Sequence, residues 1–308
     1  MTCEQMYPYL GRGAMPPELV EVHVKSVLNR VCGMGFAWSV NPYRGCVHGC
    51  PFCYARRTHW FLDEDGVRGW STRIFVKVNA PQVLRSELAR PSWKRELVAV
   101  GTATDPYQPA EARYRITRGI LEVLVEFRTP ASLVTRSPLV LRDLDILQDL
   151  ARRAGLTVCI SLVTLDPELA RQIEPNVALP RHRLRTVQQL SEAGVRTGVL
   201  LAPVLPGLTD SAENLDAVIR AAADSGAHFV AHNVLHLGEV TRDAFWRFLE
   251  ARYPQLLPTY RDLYPRRYAP SSYRRQIALR VAQSRNRARF RAGTVLQPPP
   301  APRQLALL

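Results

Sequence analysis

The chain has no apolar run able to cross a bilayer: one of its longest, Val199 to Leu205, is broken by Pro203 and falls well short of roughly 18 residues. Its opening, MTCEQMYPYLGRG, has no basic head followed by an apolar stretch, so no secretory signal is visible and a cytosolic (cytoplasmic) protein with no membrane partner is expected. Cysteine is scarce. Six in 308 residues cannot make a disulfide scaffold, yet three of them crowd between positions 46 and 53, which in a reducing compartment points to metal or redox chemistry. Glycine-rich phosphate loops, a Ser-His-Asp set and an HExxH pair are all missing, as is any strong internal repeat. What remains is a chain with 46% hydrophobic residues, enough to fill a real core and to exclude disorder.

Acidic residues stop at Asp262. Beyond it Arg266, Arg267, Arg274, Arg275, Arg280, Arg285, Arg287, Arg289, Arg291 and Arg303 carry most of the formal net charge of +14, so the rest of the chain is nearly balanced. A basic tail can neutralise phosphates by counterion release, which makes nucleic acid a partner hypothesis. The competing reading is a solvated helix face or a docking segment, because Lys25, Lys77 and Lys94 are the only lysines and the whole composition leans to arginine.

Strand-like runs alternate with amphipathic ones, the pattern of parallel βα units. The strand candidates are Phe36 to Val40, Arg73 to Val78, Leu97 to Thr102, Ser132 to Thr135, Thr157 to Val163, Thr197 to Ala202 and His228 to Leu235. Helices are expected at Gln82 to Ala89, Ala110 to Phe127, Leu139 to Ala154, His182 to Ala193 and Ser211 to Ser225, several closing at Gly155, Gly194 and Gly226. Six or seven such units build a full or partial barrel or an open doubly wound sheet, and periodicity does not choose. In each case chemistry belongs beyond the carboxyl ends of the strands. Residues 1–35 read as a lead-in, 36–250 as the α/β core, and 251–308 as a basic extension with a helix from Tyr273 to about Phe290 and a flexible proline-rich tail.

Directly after the first strand comes NPYRGCVHGCPFCYAR, Asn41 to Arg56, containing Cys46-x3-Cys50-x2-Cys53. Three thiolates within eight residues converge on one centre only if the loop wraps it, and Gly45 and Gly49 give the backbone that freedom. A structural zinc would want a fourth ligand, which His48 could supply; a cubane iron–sulfur cluster held by three cysteines instead leaves one iron open. The spacing, the position at the end of a first strand and the aromatic Phe52 before the last cysteine resemble the signature of the radical S-adenosylmethionine (SAM) superfamily. The longer phrase resembles the subgroup related to spore photoproduct lyase, over residues of about 36 to 250.

The resemblance implies a partial (β/α)6 TIM-like barrel with the basic helical extension appended. It implies a [4Fe–4S] cluster on Cys46, Cys50 and Cys53, with S-adenosyl-L-methionine chelated to the open iron and Phe52 beside the adenine. It also implies reductive cleavage to methionine and a 5′-deoxyadenosyl radical that abstracts hydrogen from a substrate, and an electron donor such as flavodoxin or ferredoxin. In GTATDPYQPAE, Gly101 to Glu111, Thr104 aligns with a hydroxyl residue near the methionine end of the cofactor, while Thr102 stands where the lyase has a hydrogen-donating cysteine. Asp105 and Tyr107 are candidate catalytic residues, and Gln108 and Glu111 candidate contacts. Arg136 suits the cofactor carboxylate, and Ser161 matches a residue near the cofactor. Cys159 shares a strand face with Ser161 and is either a hydrogen donor or core filler. Lys77, with Asn79, reads as a ligand for an anionic substrate or a snorkelling edge residue; His228, His232 and His236 recur on one strand face, where Asn233 and His236 are candidates for the barrel mouth. The absence of a second cysteine cluster disfavours an auxiliary iron–sulfur centre. The substrate is left open: a nucleic acid undergoing lesion reversal or base modification is the leading reading, with a metabolite or a peptide as alternatives. The rival, from another class, is a zinc-stabilised nucleic-acid-binding protein with no catalysis.

Overall fold

Runs of β-branched and aliphatic residues bounded by turns form strands where both faces can be covered, and the described residues form ten. In the computed structural model, which describes residues 16–60, 66 and 69–290, they are β1 (Glu18–Val22), β2 (Leu28–Arg30), β3 (Trp38–Val40), β4 (Tyr43–Arg44), β5 (Arg73–Lys77), β6 (Val98–Val100), β7 (Ala131–Thr135), β8 (Leu156–Ser161), β9 (Arg196–Val204) and β10 (Phe229–Val234). The helices are α1 (Arg57–Trp60), α2 (Ala80–Leu88), α3 (Glu111–Tyr114), α4 (Ile116–Glu126), α5 (Leu144–Arg153), α6 (Pro167–Ile173), α7 (Pro180–Glu192), α8 (Ala212–Asp224), α9 (Glu239–Arg252), α10 (Leu257–Leu263) and α11 (Ser271–Arg287).

Seven strands form one sheet in the order β10-β9-β8-β7-β6-β3-β2. Six of them, β3 and β6 to β10, run parallel, and β2 closes the edge antiparallel to β3. The parallel strands are linked through helices, the (β/α)6 count expected. Among the described residues β10 does not pair with β2, so the barrel is open along that seam. Leu133, Val158, Ile160, Val199 and Leu201 are buried in its central strands.

One strand is not where the alternation put it. Arg73 to Val78 was read as the second barrel strand, but β5 lies in a separate three-stranded sheet, β1-β5-β4, and β3 pairs directly with β6. Periodicity identifies a strand but not its partner. Lys77 accordingly points away from the expected mouth: its Nζ donates to the Asn41 carbonyl at 2.9 Å, and Asn79 binds the Val24 backbone, its Oδ1 accepting from the amide and its Nδ2 donating to the carbonyl.

The described part of the lead-in contributes β1 to the small sheet and β2 to the large one; residues 1–15 lie outside the described residues. The helix expected over Ala110 to Phe127 is broken at Arg115, which has φ +52. The Glu111 carboxylate, fully buried, accepts the Thr117 and Arg118 amides at 2.9 and 3.2 Å and so caps α4, which corrects its reading as a substrate or cofactor contact. The basic helix is present as α11 and docks on α8 and β10 through buried Ile277 and Val281. Arg287 pairs with Asp216 at 2.8 Å, Arg280 donates to the Asp210 carbonyl at 3.1 Å, and the Tyr273 hydroxyl donates to the Asp210 carboxylate at 2.7 Å. The tail from 291 lies outside the described residues. No described helix is long and apolar enough to cross a membrane.

Candidate functional site

The cysteine loop leaves β3 and is held by its backbone. Gly45 has φ +86, and a Cβ there would stand 2.7 Å from the Arg73 carbonyl oxygen and 2.9 Å from His59 Cε1, so only glycine fits. The Gly45 carbonyl accepts from Thr104 Oγ1 at 2.7 Å and Gln108 Nε2 at 3.1 Å; the Gln108 carbonyl oxygen in turn accepts the Val47 amide at 3.1 Å. Asn176 donates to the Val47 carbonyl at 2.8 Å, and buried Arg56 donates to the carbonyls of Gly49 and Cys50. The loop is thus fixed by side chains from two distant parts of the chain and by Arg56 at its own end, each satisfying a backbone group that burial would otherwise orphan.

This loop roofs a cavity of about 350 Å³ whose other walls are the carboxyl ends of β6 to β10. Cys46, Cys50 and Cys53 line it together with Phe52, Thr104, Asp105, Arg136 and Ser161. The loop and the ends of β6, β7 and β8 therefore bring these eight residues together. Two others fall elsewhere. Tyr107 is fully buried with its hydroxyl on Asp143 Oδ2 at 3.1 Å, and does not line the cavity. Cys159 is buried one pleat below Ser161 and does not line it either, so of the residues expected as catalytic these two are packed in the interior and Asp105 reaches the cavity wall.

Asp105 accepts from the Thr135 hydroxyl at 2.6 Å and from the amides of Tyr107 and Arg136 at 2.9 and 2.8 Å, and His48 Nδ1 lies 3.4 Å from it. It ties the loop to the ends of β6 and β7. Burial lowers the pKa of His48 against the pull of Asp105, leaving the imidazole neutral at neutral pH. Thr104 reaches the cavity wall, but its hydroxyl is committed to Gly45 and to Gln108 Nε2. Arg136 sits 6.0 Å over the Phe52 ring and donates through Nε to Glu174 at 2.8 Å. Burial works against its charge, yet the Cys50 sulfur and the Glu174 carboxylate outweigh that and push its pKa up.

Sequence reasoning missed Glu174, Arg183 and Asn176, which come from the α6–α7 region. A single acid in IEPNV carries no spacing signal, and only the folded chain brings it beneath the cavity. At the lip, the His236 and Tyr268 rings stack at 4.8 Å, and Leu237 N donates to the Arg267 carbonyl, so the segment after α10 edges the opening. His236 and Asn233 do line the cavity; His228 instead hydrogen-bonds the Thr197 backbone, and His232 does not line the cavity.

Among the described residues no three His, Cys, Asp or Glu side chains converge closely enough for a single metal ion. A tetrahedral zinc on Cys46, His48, Cys50 and Cys53 would require that convergence, and His48 is turned to Asp105. A cubane takes each cysteine on a different iron, so its ligands stand apart around a volume, as three thiols on the walls of one cavity do. Burial pushes the Cys50 thiol up to about 12 and raises Cys46 and Cys53 as well, so these sulfurs become ligands only where cationic iron supplies the missing charge. The donor set fits a three-cysteine cluster with a vacant iron.

A family model described as the radical SAM superfamily matches residues 40–219, more than half of the chain. The chain belongs to the radical SAM superfamily. An uncharacterised protein of Mycobacterium tuberculosis is 44% identical over 266 residues, 85% of this chain and 78% of its own length. A radical SAM Nalpha-GlyT isomerase of Pseudomonas phage M6 is 27% identical over 173 residues, 54% of this chain and 33% of that protein. Among solved structures, a spore photoproduct lyase variant superposes with TM-score 0.67 at 14% identity, covering 88% of this chain and 80% of its own, which shows the shared fold. The radical SAM protein is an enzyme whose family cofactors are a [4Fe–4S] cluster and S-adenosylmethionine, which sets aside the non-catalytic zinc reading.

Proposed function

We propose that this radical SAM enzyme uses Cys46, Cys50 and Cys53 to hold the cluster and Phe52, Arg136, Ser161 and Thr104 to surround the cofactor, and that it acts on a nucleic acid in a lesion-reversal or base-modification reaction. The observation that carries the reading is the meeting of all seven side chains around one cavity at the carboxyl ends of the strands. When bound, the cluster and cofactor supply an electron and a 5′-deoxyadenosyl radical able to take a hydrogen from carbon. The chain's own contribution is binding, orientation and enclosure. Arg136 presents a cationic fork to the methionine carboxylate, Phe52 offers a flat apolar face to the adenine, and Thr104 and Asp105 hold the loop and Arg136 in place. Val134, Leu200 and Ala202 add apolar surface to the cavity wall and exclude water from it.

Two features favour a nucleic acid. Of the large hydrophobic residues that are exposed among the described ones, Met34 and Tyr54 line the cavity and Tyr268 stacks on His236 at its lip, giving an apolar and aromatic rim. Arg266 and Arg267 precede Tyr268, so cationic groups flank that rim. The arginines of α11 support the idea less: Arg280 and Arg287 are used to dock the helix. A cytoplasmic setting and a flavodoxin or ferredoxin donor complete the reading.

The test is anaerobic reconstitution followed by reduction in the presence of S-adenosylmethionine. Release of 5′-deoxyadenosine and methionine, with deuterium passing into 5′-deoxyadenosine from labelled oligonucleotide, is the expected result. Cofactor cleavage with no label from any oligonucleotide rejects the substrate class, and no cleavage rejects the reading as a whole.

A further inference from the structure

Beneath the cavity lies a charge triad of Arg136, Glu174 and Arg183, of which the last two touch neither solvent nor the cavity. Glu174 and Arg183 are each 1% exposed at the side chain. Glu174 Oε1 accepts Arg136 Nε at 2.8 Å, and its Oε2 pairs with Arg183 Nη2 at 2.6 Å. Arg183 also donates through Nε to the Ala178 carbonyl at 2.7 Å and through Nη1 to the Ser161 carbonyl at 3.0 Å.

Resting on the cofactor reading above, we propose that Glu174 and Arg183 are positioning residues that aim Arg136 at the carboxylate of the cofactor and keep the triad they form with it net positive. The geometry gives each a separate task. Glu174 takes the Nε edge of Arg136 and so restrains the guanidinium, which lines the cavity 6.0 Å from the centre of the Phe52 ring. A buried carboxylate alone would cancel the charge of Arg136 toward an arriving anion. Arg183 cancels Glu174 instead, so the three groups present one net positive charge. Because Arg183 also holds the Ser161 carbonyl, the same residue fixes a second wall of the cavity. Burial would raise the pKa of Glu174, but Arg183 and Arg136 hold it below the ordinary carboxylate value, so the acid is ionised and the triad charged. Stability does not require this arrangement, since well-packed apolar groups commonly replace a buried ion triad without loss.

The proposal assigns an electrostatic effect to a residue that does not contact the ligand, and that separates it from a structural role. The experiment is calorimetric titration of the anaerobically reconstituted full-length protein with S-adenosylmethionine and, in parallel, with 5′-deoxyadenosine, which lacks the carboxylate. Arg183→Gln is expected to weaken S-adenosylmethionine by about tenfold or more while changing 5′-deoxyadenosine by less than about twofold. Glu174→Gln combined with Arg183→Gln restores one net positive charge and leaves no uncompensated buried acid; it is expected to fold and to recover most of the affinity, which keeps the test decisive if the single variant fails to fold. Iron content and the spectrum of the reduced cluster should match wild type throughout. Wild-type affinity in Arg183→Gln, equal loss of both ligands, or no recovery in the double variant overturns the proposal. A wild-type protein that binds no S-adenosylmethionine, or an Arg136→Ala variant that binds it undiminished, refutes the underlying cofactor reading instead.

Discussion

Gly45 and Gly49 stand in the same loop, both with positive φ, yet the structure predicts different consequences for placing alanine at each. At Gly45 the backbone has φ +86, and the new Cβ would meet the Arg73 carbonyl oxygen at 2.7 Å and His59 Cε1 at 2.9 Å. The left-handed conformation costs an alanine about 1–2 kcal/mol. Backbone cannot yield to the clash, so the loop must shift and weaken the bonds from Thr104 and Gln108 to the Gly45 carbonyl, about 1 kcal/mol each. The sum is about 3–4 kcal/mol, a factor of about a hundred to a thousand against the loop geometry. At Gly49 φ is +66 and the nearest atom to a Cβ is Ser71 Cβ at 3.6 Å, so only the conformational cost of about 1–2 kcal/mol remains. The assay is iron and sulfide per chain after identical anaerobic reconstitution, with thermal midpoints of the metal-free proteins alongside. Gly45→Ala should load little cluster and Gly49→Ala nearly a full complement. Equal loading by the two variants would refute the reasoning.

Three further outcomes are expected. Burial depresses the Lys77 pKa from 10.5 to about 8, so the folded state resists its charge; the penalty is fully present below pH 8 and fades as pH rises toward 10.5. Lys77→Met should therefore gain up to about 3 kcal/mol on wild type at neutral pH, less about 1 for the lost bond to Asn41, with the gap shrinking across that window in urea titrations; a pH-independent gap would count against it. Cys159→Ala should leave 5′-deoxyadenosine formation unchanged and lower stability by about 1 kcal/mol, since the thiol lies under the cavity floor; loss of turnover in a protein with normal cluster content would show the residue acting in the reaction. Truncation after residue 265 should destabilise the whole protein by at least about 3 kcal/mol, because Ile277 and Val281 are fully buried core residues; a truncated protein with an unchanged melting temperature would mean that α11 is not part of the core.

The strands of the large sheet were legible because they obey one rule, short apolar runs between amphipathic helices, and all six parallel strands lie where those runs are. The three that escaped, β1, β2 and β4, are short and half exposed or begin within the cysteine loop, so they carry no apolar run. Arg73 to Val78 was found as a strand but assigned to the wrong sheet, since hydrogen-bond partners are not written in periodicity. At the site the residues fixed by local spacing, Cys46, Cys50, Cys53 and Phe52, were readable. Those fixed by meeting across the fold were not: Glu174, Arg183 and Asn176 have no pattern around them, and Glu111 and Tyr107 looked functional until their hydrogen bonds assigned them to a helix cap and the interior.

By itself the sequence determined the class of fold and narrowed the chemistry to a thiolate-bound metal centre. Three thiols at tight spacing after a first strand resemble one family's signature, and alternating apolar and amphipathic runs favour parallel βα units, because both are local properties of a covalent chain. Only the tertiary structure decided which charges face the cavity, which arginines are spent on docking, and which polar groups are merely satisfied. Those depend on distances between residues far apart in sequence, and a buried group acquires its role from its partners.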